Sequence, residues 1–349
     1  MGTGIPPGWF PARNTLLSAG NVPDYSNDLF RLASASTLLL SGVLSNPPPP
    51  PYGPQWVYVR QRFTKLLANL KLTDVQRQDG ATKHAGVTAS LNRWYWNHNS
   101  ESANSLLIGS WGKGTHIRPP RDVDILFLLP PEVYWRFEGR IGNRQSGLLQ
   151  EVRGVLAQTY SQTTMRADGQ VVLVPFASFQ VEIAPGFRRT DGTIIVCDTK
   201  DGGRYQTSTA EWELVDLNVS DAAYKGNTRA LVRLIKQWQY ECKVPLKSFW
   251  IERLAIEFIA QWQYRHNDVF YYDWMVRDFL AYLIQRAKGF LAMPGTLEMV
   301  ALGDAWLSRA QTAYGRAVTA CDYERHNNDF SAGFEWQMVF GYSAPLRAE

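Results

Sequence analysis

Two aspartates, Asp122 and Asp124, stand two residues apart inside an apolar run, Asp122-Val123-Asp124-Ile125-Leu126-Phe127. On a β-strand, residues i and i+2 project from one face, so this spacing sets two carboxylates side by side. Like charges held that close are costly unless a cation lies between them. Oxygen-only ligands beside a phosphate-bearing substrate favour Mg²⁺. Aspartate is depleted in strands, and a pair on one face among Val, Ile, Leu and Phe points to chemistry rather than to a strand edge. Just upstream, Leu106-Leu107-Ile108 ends in Gly109-Ser110. Glycine allows a ligand to approach the backbone closely. N–H groups at a helix start bind phosphate, and the Ser110 hydroxyl adds a donor. The turn is not a Walker A loop, because Lys113 is followed by Gly114 and the upstream glycine is missing.

A two-metal site commonly needs a third carboxylate. In Phe179-Gln180-Val181-Glu182-Ile183-Ala184 the alternation projects Glu182 from one face of a strand otherwise built for burial, which makes it the third candidate. Further along, Lys236 and Arg229 are seven apart on a helix whose other face carries Leu231, Leu234, Ile235 and Trp238. A lysine there could neutralise a triphosphate, or simply be solvated. Ser248 and Phe249 open the next helix. Ser248 is a good N-cap, and the same hydroxyl could hold phosphate; Phe249 could stack on a base. His116, alone in the loop before the acids, is expected to be solvated rather than a ligand.

The elements that must position these groups follow from periodicity. Helices are predicted over 55–69 and from an N-cap at Thr73 or Asp74 to about 97. Strands are predicted at 105–109, 122–129, 164–167, 171–174, 178–184 and 193–197, with helices at 132–138 and 145–160. From about 220 the pattern is wholly helical: 220–242, 247–265, 272–287, 302–323 and 329–340. Strands first and helices later indicate an α+β catalytic core followed by a helical lobe. Upstream, 1–24 is an irregular arm, 25–45 reads as a helix, and Asn46–Pro54, with five consecutive prolines, reads as a stiff connector. The organisation expected is therefore 1–70 as N-terminal arm, helices and connector, 71–218 as catalytic core, and 219–349 as helical lobe.

The 349 residues, with a net charge of +4, mildly favour polyanionic partners such as nucleotides without demonstrating nucleic-acid binding. Thirteen Trp imply well-filled cores or aromatic pockets. Cys197, Cys242 and Cys321 are scattered and no CxxC occurs, which argues against a disulfide framework and a zinc site. No apolar run reaches the ~18 residues of a membrane span, and the apolar stretch at 33–44 is too short and lacks a basic leader. A cytoplasmic protein with no membrane partner is the expectation.

Together, Gly109-Ser110, the Asp122/Asp124 pair and Glu182 resemble the signature of polymerase-β-like nucleotidyltransferases. More narrowly, GSWGKGTHIRPPRDVDIL, VEIAPGF, the LVRLIKQW and KSFWIERL helices and the C-terminal helical run resemble the cGAS/DncV-like nucleotidyltransferases (CD-NTases) of bacterial CBASS anti-phage systems, over roughly residues 70–342. The resemblance implies a bilobed α+β fold, a mixed β-sheet core plus a C-terminal helical lobe, with the active site in the cleft. It implies that Gly109 and Ser110 hold a donor triphosphate and that Asp122, Asp124 and Glu182 bind two Mg²⁺ ions, Mn²⁺ substituting. Lys236 and Ser248 would contact phosphates and Phe249 would stack on the donor base. Many members carry Asp where this chain has Glu182. The implied activity makes a cyclic di- or trinucleotide second messenger from ATP, GTP or other NTPs, releasing pyrophosphate, with CBASS accessory proteins as partners and no obligate nucleic acid. The alternatives are a nucleotidyltransferase that makes linear oligonucleotides or modifies an RNA or protein, and a catalytically silent nucleotide sensor.

Overall fold

The computed structural model of the chain describes residues 56–296 and 298–348, with Asp168 described by its backbone alone. The helix expected at 25–45 and the proline connector lie outside these residues. The described chain opens with α1 (Val59–Leu70) and α2 (Asp74–Tyr95). Thr73 caps α2 through a capping box: its hydroxyl accepts from the Gln76 N–H, and the Gln76 side chain accepts from the Thr73 N–H.

A mixed sheet follows, built from β1 (Ser105–Leu107), β2 (Asp122–Leu128), β3 (Arg166–Asp168), β4 (Val171–Pro175), β5 (Gln180–Arg188), β6 (Ile194–Asp198) and β7 (Arg204–Thr207). Its order is β1-β2-β5-β4-β3, and β6 pairs with β5 and leads on to β7. Only β2 and β5 run parallel; the segment between them contains α4 (Pro131–Glu138), α5 (Arg144–Thr159), β3 and β4. Residue alternation divides β2 cleanly. Val123, Ile125 and Phe127 enter a core with Val87 and Leu91 of α2, Leu148, Val152 and Leu156 of α5, and Val181 and Ile183 of β5. Asp122 and Asp124 therefore emerge on the opposite face, where the apolar cover is only a small cluster around Leu126, Ile194 and Val196.

The remaining elements are α6 (Ala210–Ala223), α7 (Asn227–Glu241), α8 (Ser248–Gln261), α9 (Tyr272–Gln285), the hairpin β8 (Phe290–Ala292) and β9 (Met299–Ala301), α10 (Leu307–Arg325) and α11 (Asp329–Phe340). Helices α7 to α11 share a second core containing Trp238, Phe279, Trp306 and Trp336, fully buried or nearly so. Val59, Phe63, Leu66 and Leu70 of α1 pack into this same core. Buried Arg62 fastens α1 there: it donates to Glu324 Oε1 at 2.6 Å, Asp329 Oδ1 at 2.6 Å and the Pro345 carbonyl at 2.8 Å.

The structure departs from the sequence expectations in three places. The single helix expected over 220–242 is two helices, broken at Tyr224-Lys225-Gly226, where Lys225 (φ 55°) and Gly226 (φ 87°) take the left-handed conformation. Strand β7 was not anticipated. The β8–β9 hairpin interrupts a region that reads as wholly helical.

Candidate active site

Parallel pairing of β2 with β5 places Asp122 opposite Gln180 and Asp124 opposite Glu182. The register brings the carboxylates of Asp122, Asp124 and Glu182 together, with ligand oxygens all within 4.8 Å of one another. Gln180 Nε2 donates to Glu182 Oε1 at 3.1 Å and steadies it. Burial, followed by the charges of Asp122 and Glu182, pushes the Asp124 carboxyl up to about 7. Burial and the Asp122 charge raise Glu182 in the same direction. Three acids gathered this closely, offering only oxygen donors, fit hard divalent cations such as Mg²⁺ or Mn²⁺.

Above the acids the chain leaves β1 and winds into a four-residue helical turn, α3 (Gly109–Gly112). Gly109 has φ +54°, and a Cβ there would fall 1.8 Å from Asp124 Oδ2, so only glycine lets the turn lie against the carboxylate. The turn is closed by the Thr115 N–H donating to the Ser110 carbonyl at 2.9 Å.

The next three residues are gripped by one face of α7. Arg229 Nε donates to the Lys113 carbonyl at 2.8 Å, Arg233 to the Gly114 carbonyl at 2.6 Å, and Lys236 Nζ to Thr115 Oγ1 at 2.8 Å. Spacings of four and three residues put these cations on one helix face, each taking the next residue of the loop. Arg229 and Lys236 do share a face, as the sequence indicates, but it is turned to the protein.

Beneath the loop, Glu252 of α8 collects the charges. Its Oε1 accepts from Lys236 Nζ at 2.6 Å and Thr115 Oγ1 at 2.8 Å, and its Oε2 accepts from Lys113 Nζ at 2.7 Å. Lys113 also pairs with Glu213 of α6. Lys113, Thr115, Lys236 and Glu252 are all buried. Burial alone would raise Glu252, but the two ammonium groups outweigh it and hold its carboxyl below the ordinary range. Burial lowers Lys236 more than Glu252 raises it. For Lys113, burial is outweighed by Glu252 and Glu213, which hold its pKa up.

Gly109, Ser110, Asp122, Asp124, Lys236, Ser248 and Phe249 all line one cavity of about 420 Å³, which Glu182 joins through the carboxylate cluster. Phe249 has Lys113 Nζ 5.5 Å from its ring centroid. Ser248 does not cap α8: Lys247 occupies the N-cap position, and the Ser248 hydroxyl donates instead to Gln239 Oε1 at 3.1 Å. His116 is half-buried: its ring stacks on Trp111 with centroids 5.2 Å apart and lines the same cavity, outside the carboxylate cluster. The sequence reading missed Lys113, Thr115, Glu213 and Glu252 as parts of the cavity wall. For Glu252 a signal existed, because it lies one helical turn beyond Ser248 and hence on the same side of α8.

Similarity to known proteins agrees with this geometry. Residues 58–219 match the model of the Second Messenger Oligonucleotide or Dinucleotide Synthetase domain. No curated protein sequence matches the chain. Among solved structures, CdnC of Escherichia coli MS115-1 with ATP aligns at 17% identity and a TM-score of 0.61, covering 83% of this chain and 99% of that one. The complex of the same CdnC with HORMA-deltaN aligns at 16% identity and a TM-score of 0.58, covering 82% and 98%. Vibrio cholerae DncV, a cyclic AMP-GMP synthase caught with its linear intermediate pppA(3′,5′)pG, aligns at 11% identity and a TM-score of 0.61, covering 82% and 96%. The match over residues 58–219 and the fold shared with CdnC and DncV agree with the resemblance to cGAS/DncV-like nucleotidyltransferases that the sequence carries.

Proposed function

We propose that this protein joins nucleoside triphosphates into a cyclic di- or trinucleotide, releasing pyrophosphate at each bond. The observation that carries the reading is the convergence of Asp122, Asp124 and Glu182 within 4.8 Å, beside a glycine turn and a cavity lined by buried lysines. Divalent ions bound to the three acids would supply charge neutralisation for the phosphates and a lowered pKa for the attacking ribose hydroxyl. The chain's own residues position the reactants. Ser110, with the exposed N–H groups of the α3 turn, faces the phosphates of the donor. Lys113 and Lys236 each have a third ammonium proton left for phosphate oxygens, and Ser248 adds a hydroxyl at the same wall. Phe249 offers an aromatic face to the donor base. Glu182, as a metal ligand or as a base beside it, would take up the proton of the attacking hydroxyl. That oxygen forms a bond to the α-phosphorus as the bond to the β,γ-diphosphate breaks, and pyrophosphate leaves with the electron pair. A second transfer within the same cavity closes the ring.

Escherichia coli CdnC is known in complex with HORMA-deltaN, and we extend from it the expectation that an accessory protein of an anti-phage system regulates this chain. No helix among the described residues is long and apolar enough to cross a membrane.

The test is to incubate the protein with all four NTPs and Mg²⁺ or Mn²⁺ and analyse the products by mass spectrometry after phosphatase treatment. A phosphatase-resistant cyclic product is expected from the wild type. Asp122→Ala with Asp124→Ala should abolish pyrophosphate release while the melting transition survives. Linear or macromolecule-linked products would replace the cyclase reading with another transferase. Wild-type turnover in the double variant would remove the reading altogether.

A further inference from the structure

The cations of the cavity do not wait for phosphate as free charges. Lys113 and Lys236 come from segments far apart in sequence, one from the loop after α3 and one from α7, and Glu252 binds both. Thr115 completes the arrangement by accepting from Lys236 and donating to Glu252. Every hydrogen bond that fixes the two ammonium groups therefore runs to Glu252, Thr115 or Glu213. An ammonium group has three donors on a flexible stem, so two bonds to fixed oxygens leave it one remaining direction. Both lysines, with Ser110 and Ser248, line the cavity wall.

We infer that Glu252 is a positioning residue that holds Lys113 and Lys236 in register for the β- and γ-phosphates of the donor nucleotide. This rests on the nucleotidyltransferase reading and deepens it. The carboxylate bridges the loop after α3 and helix α7, so it sets where both cations stand. It is only 5% exposed and its oxygens are already engaged by protein donors, so it acts through the lysines rather than on the substrate. Removing its charge leaves the two ammonium groups close together without a common anion. They then separate, and the phosphate-binding geometry is lost although both lysines remain.

A general weakening of the fold would reduce affinity for every nucleotide alike, whereas misplaced lysines weaken only ligands with β- and γ-phosphates. The decisive quantity is therefore the ratio of affinities for α,β-methylene-ATP, which cannot react, and AMP, both measured by titration calorimetry in Mg²⁺. The wild type should prefer the triphosphate analogue. In Glu252→Gln the preference should fall about tenfold or more, the scale of one charge-assisted hydrogen bond lost, with AMP affinity nearly unchanged. An unaltered ratio in Glu252→Gln overturns the inference and leaves the nucleotidyltransferase reading standing. A wild type with no preference for the triphosphate analogue overturns that reading and the inference with it. Should Glu252→Gln not fold, Glu252→Asp decides the matter, since it keeps the charge but draws the carboxylate back by one methylene from both ammonium groups it binds. A fall in the ratio is expected there too, and an unchanged ratio refutes the positioning role.

Discussion

The acid cluster makes a stability prediction that requires no knowledge of substrate. In the absence of metal, Asp124 is pushed from 3.8 up to about 7 by burial and by the charges of Asp122 and Glu182. A carboxyl raised in this way binds its proton more tightly in the folded state than in the unfolded chain. Folding therefore takes up a proton between the unfolded and folded values, and stability falls as pH rises through that window. Above it, the ionised group costs the folded state about 4 kcal/mol. Asparagine keeps the shape of the side chain and removes the charge, but its amide must still be buried, which takes back about half of that gain. Asp124→Asn should therefore stabilise the protein by about 2 kcal/mol at about pH 8 in EDTA, a melting-temperature rise of about 3 °C for a chain of this size. At about pH 4, where the native carboxyl is protonated and only the cost of the buried amide remains, the variant should instead be less stable by about 2 kcal/mol. Mg²⁺ should raise the melting temperature of the wild type by mass action and leave the variant almost unmoved. The measurement is differential scanning calorimetry at the two pH values, with and without the metal. If Asp124→Asn is no more stable than wild type at about pH 8, or if the gain is the same at both pH values, the three carboxylates are not repelling one another and the argument for a cation among them fails.

Two further substitutions test how the site is mounted. Gly109→Ala would drive a methyl group into Asp124 Oδ2 at a backbone φ of +54°; a displaced metal ligand and a strained turn should lower kcat/KM by about a hundredfold, read as pyrophosphate release under subsaturating NTP. Arg62→Met strips the fully buried Glu324 of its cation and should destabilise the fold by about 3–5 kcal/mol in urea titration, while adding Glu324→Leu should recover most of that loss.

The acids were legible because a strand has a period of two. Asp122 and Asp124 share a face by counting alone, and the alternation around Glu182 finds the third. What counting could not supply was the pairing of β2 with β5, a contact between distant segments that brings Glu182 opposite Asp124. Glu252 was harder to find for a different reason: its place one turn beyond Ser248 was visible, but its burial and its partners were not. Within Trp250-Ile251-Glu252-Arg253-Leu254 it reads as an ordinary helix glutamate, and only the arrival of Lys113, Thr115 and Lys236 from elsewhere makes its burial affordable. Likewise Val59, Phe63, Leu66 and Leu70 mark an apolar stripe on α1 but not which core it enters; the answer, the helical one, depends on Arg62 finding Glu324. The breaks that were missed had local signals, Gly226 between α6 and α7 and Pro294-Gly295 between β8 and β9. Strong helical patterning on either side masked them. Gly295 also needs its positive φ and lies against Trp212, where a Cβ would come within 2.1 Å of the ring.

The charge arrangement of the cavity also constrains what can bind there. Its wall and the adjoining cluster present five carboxylates, Asp122, Asp124, Glu182, Glu213 and Glu252, against Lys113, Lys236 and Arg121. Both lysines already face a glutamate. Arg121 rests on the Tyr240 ring at 4.8 Å and forms no ion pair among the described residues. A bare triphosphate brought to this wall meets more like charge than unlike, so the protein cannot attract it on its own side chains. On the nucleotidyltransferase reading, the same acids that repel the free nucleotide would hold a cation chelated by it, so the site would favour the metal-bound triphosphate. Lysines held by Glu252 then serve geometry more than net attraction, since their charge is largely balanced before the ligand arrives. Buried, oriented ammonium groups would stabilise charge that moves from the α-phosphate to the departing diphosphate without having to reorganise at that moment. On that argument the buried carboxylate beside them does not oppose the chemistry: it gives up some affinity for the nucleotide and keeps the cations where the charge will develop.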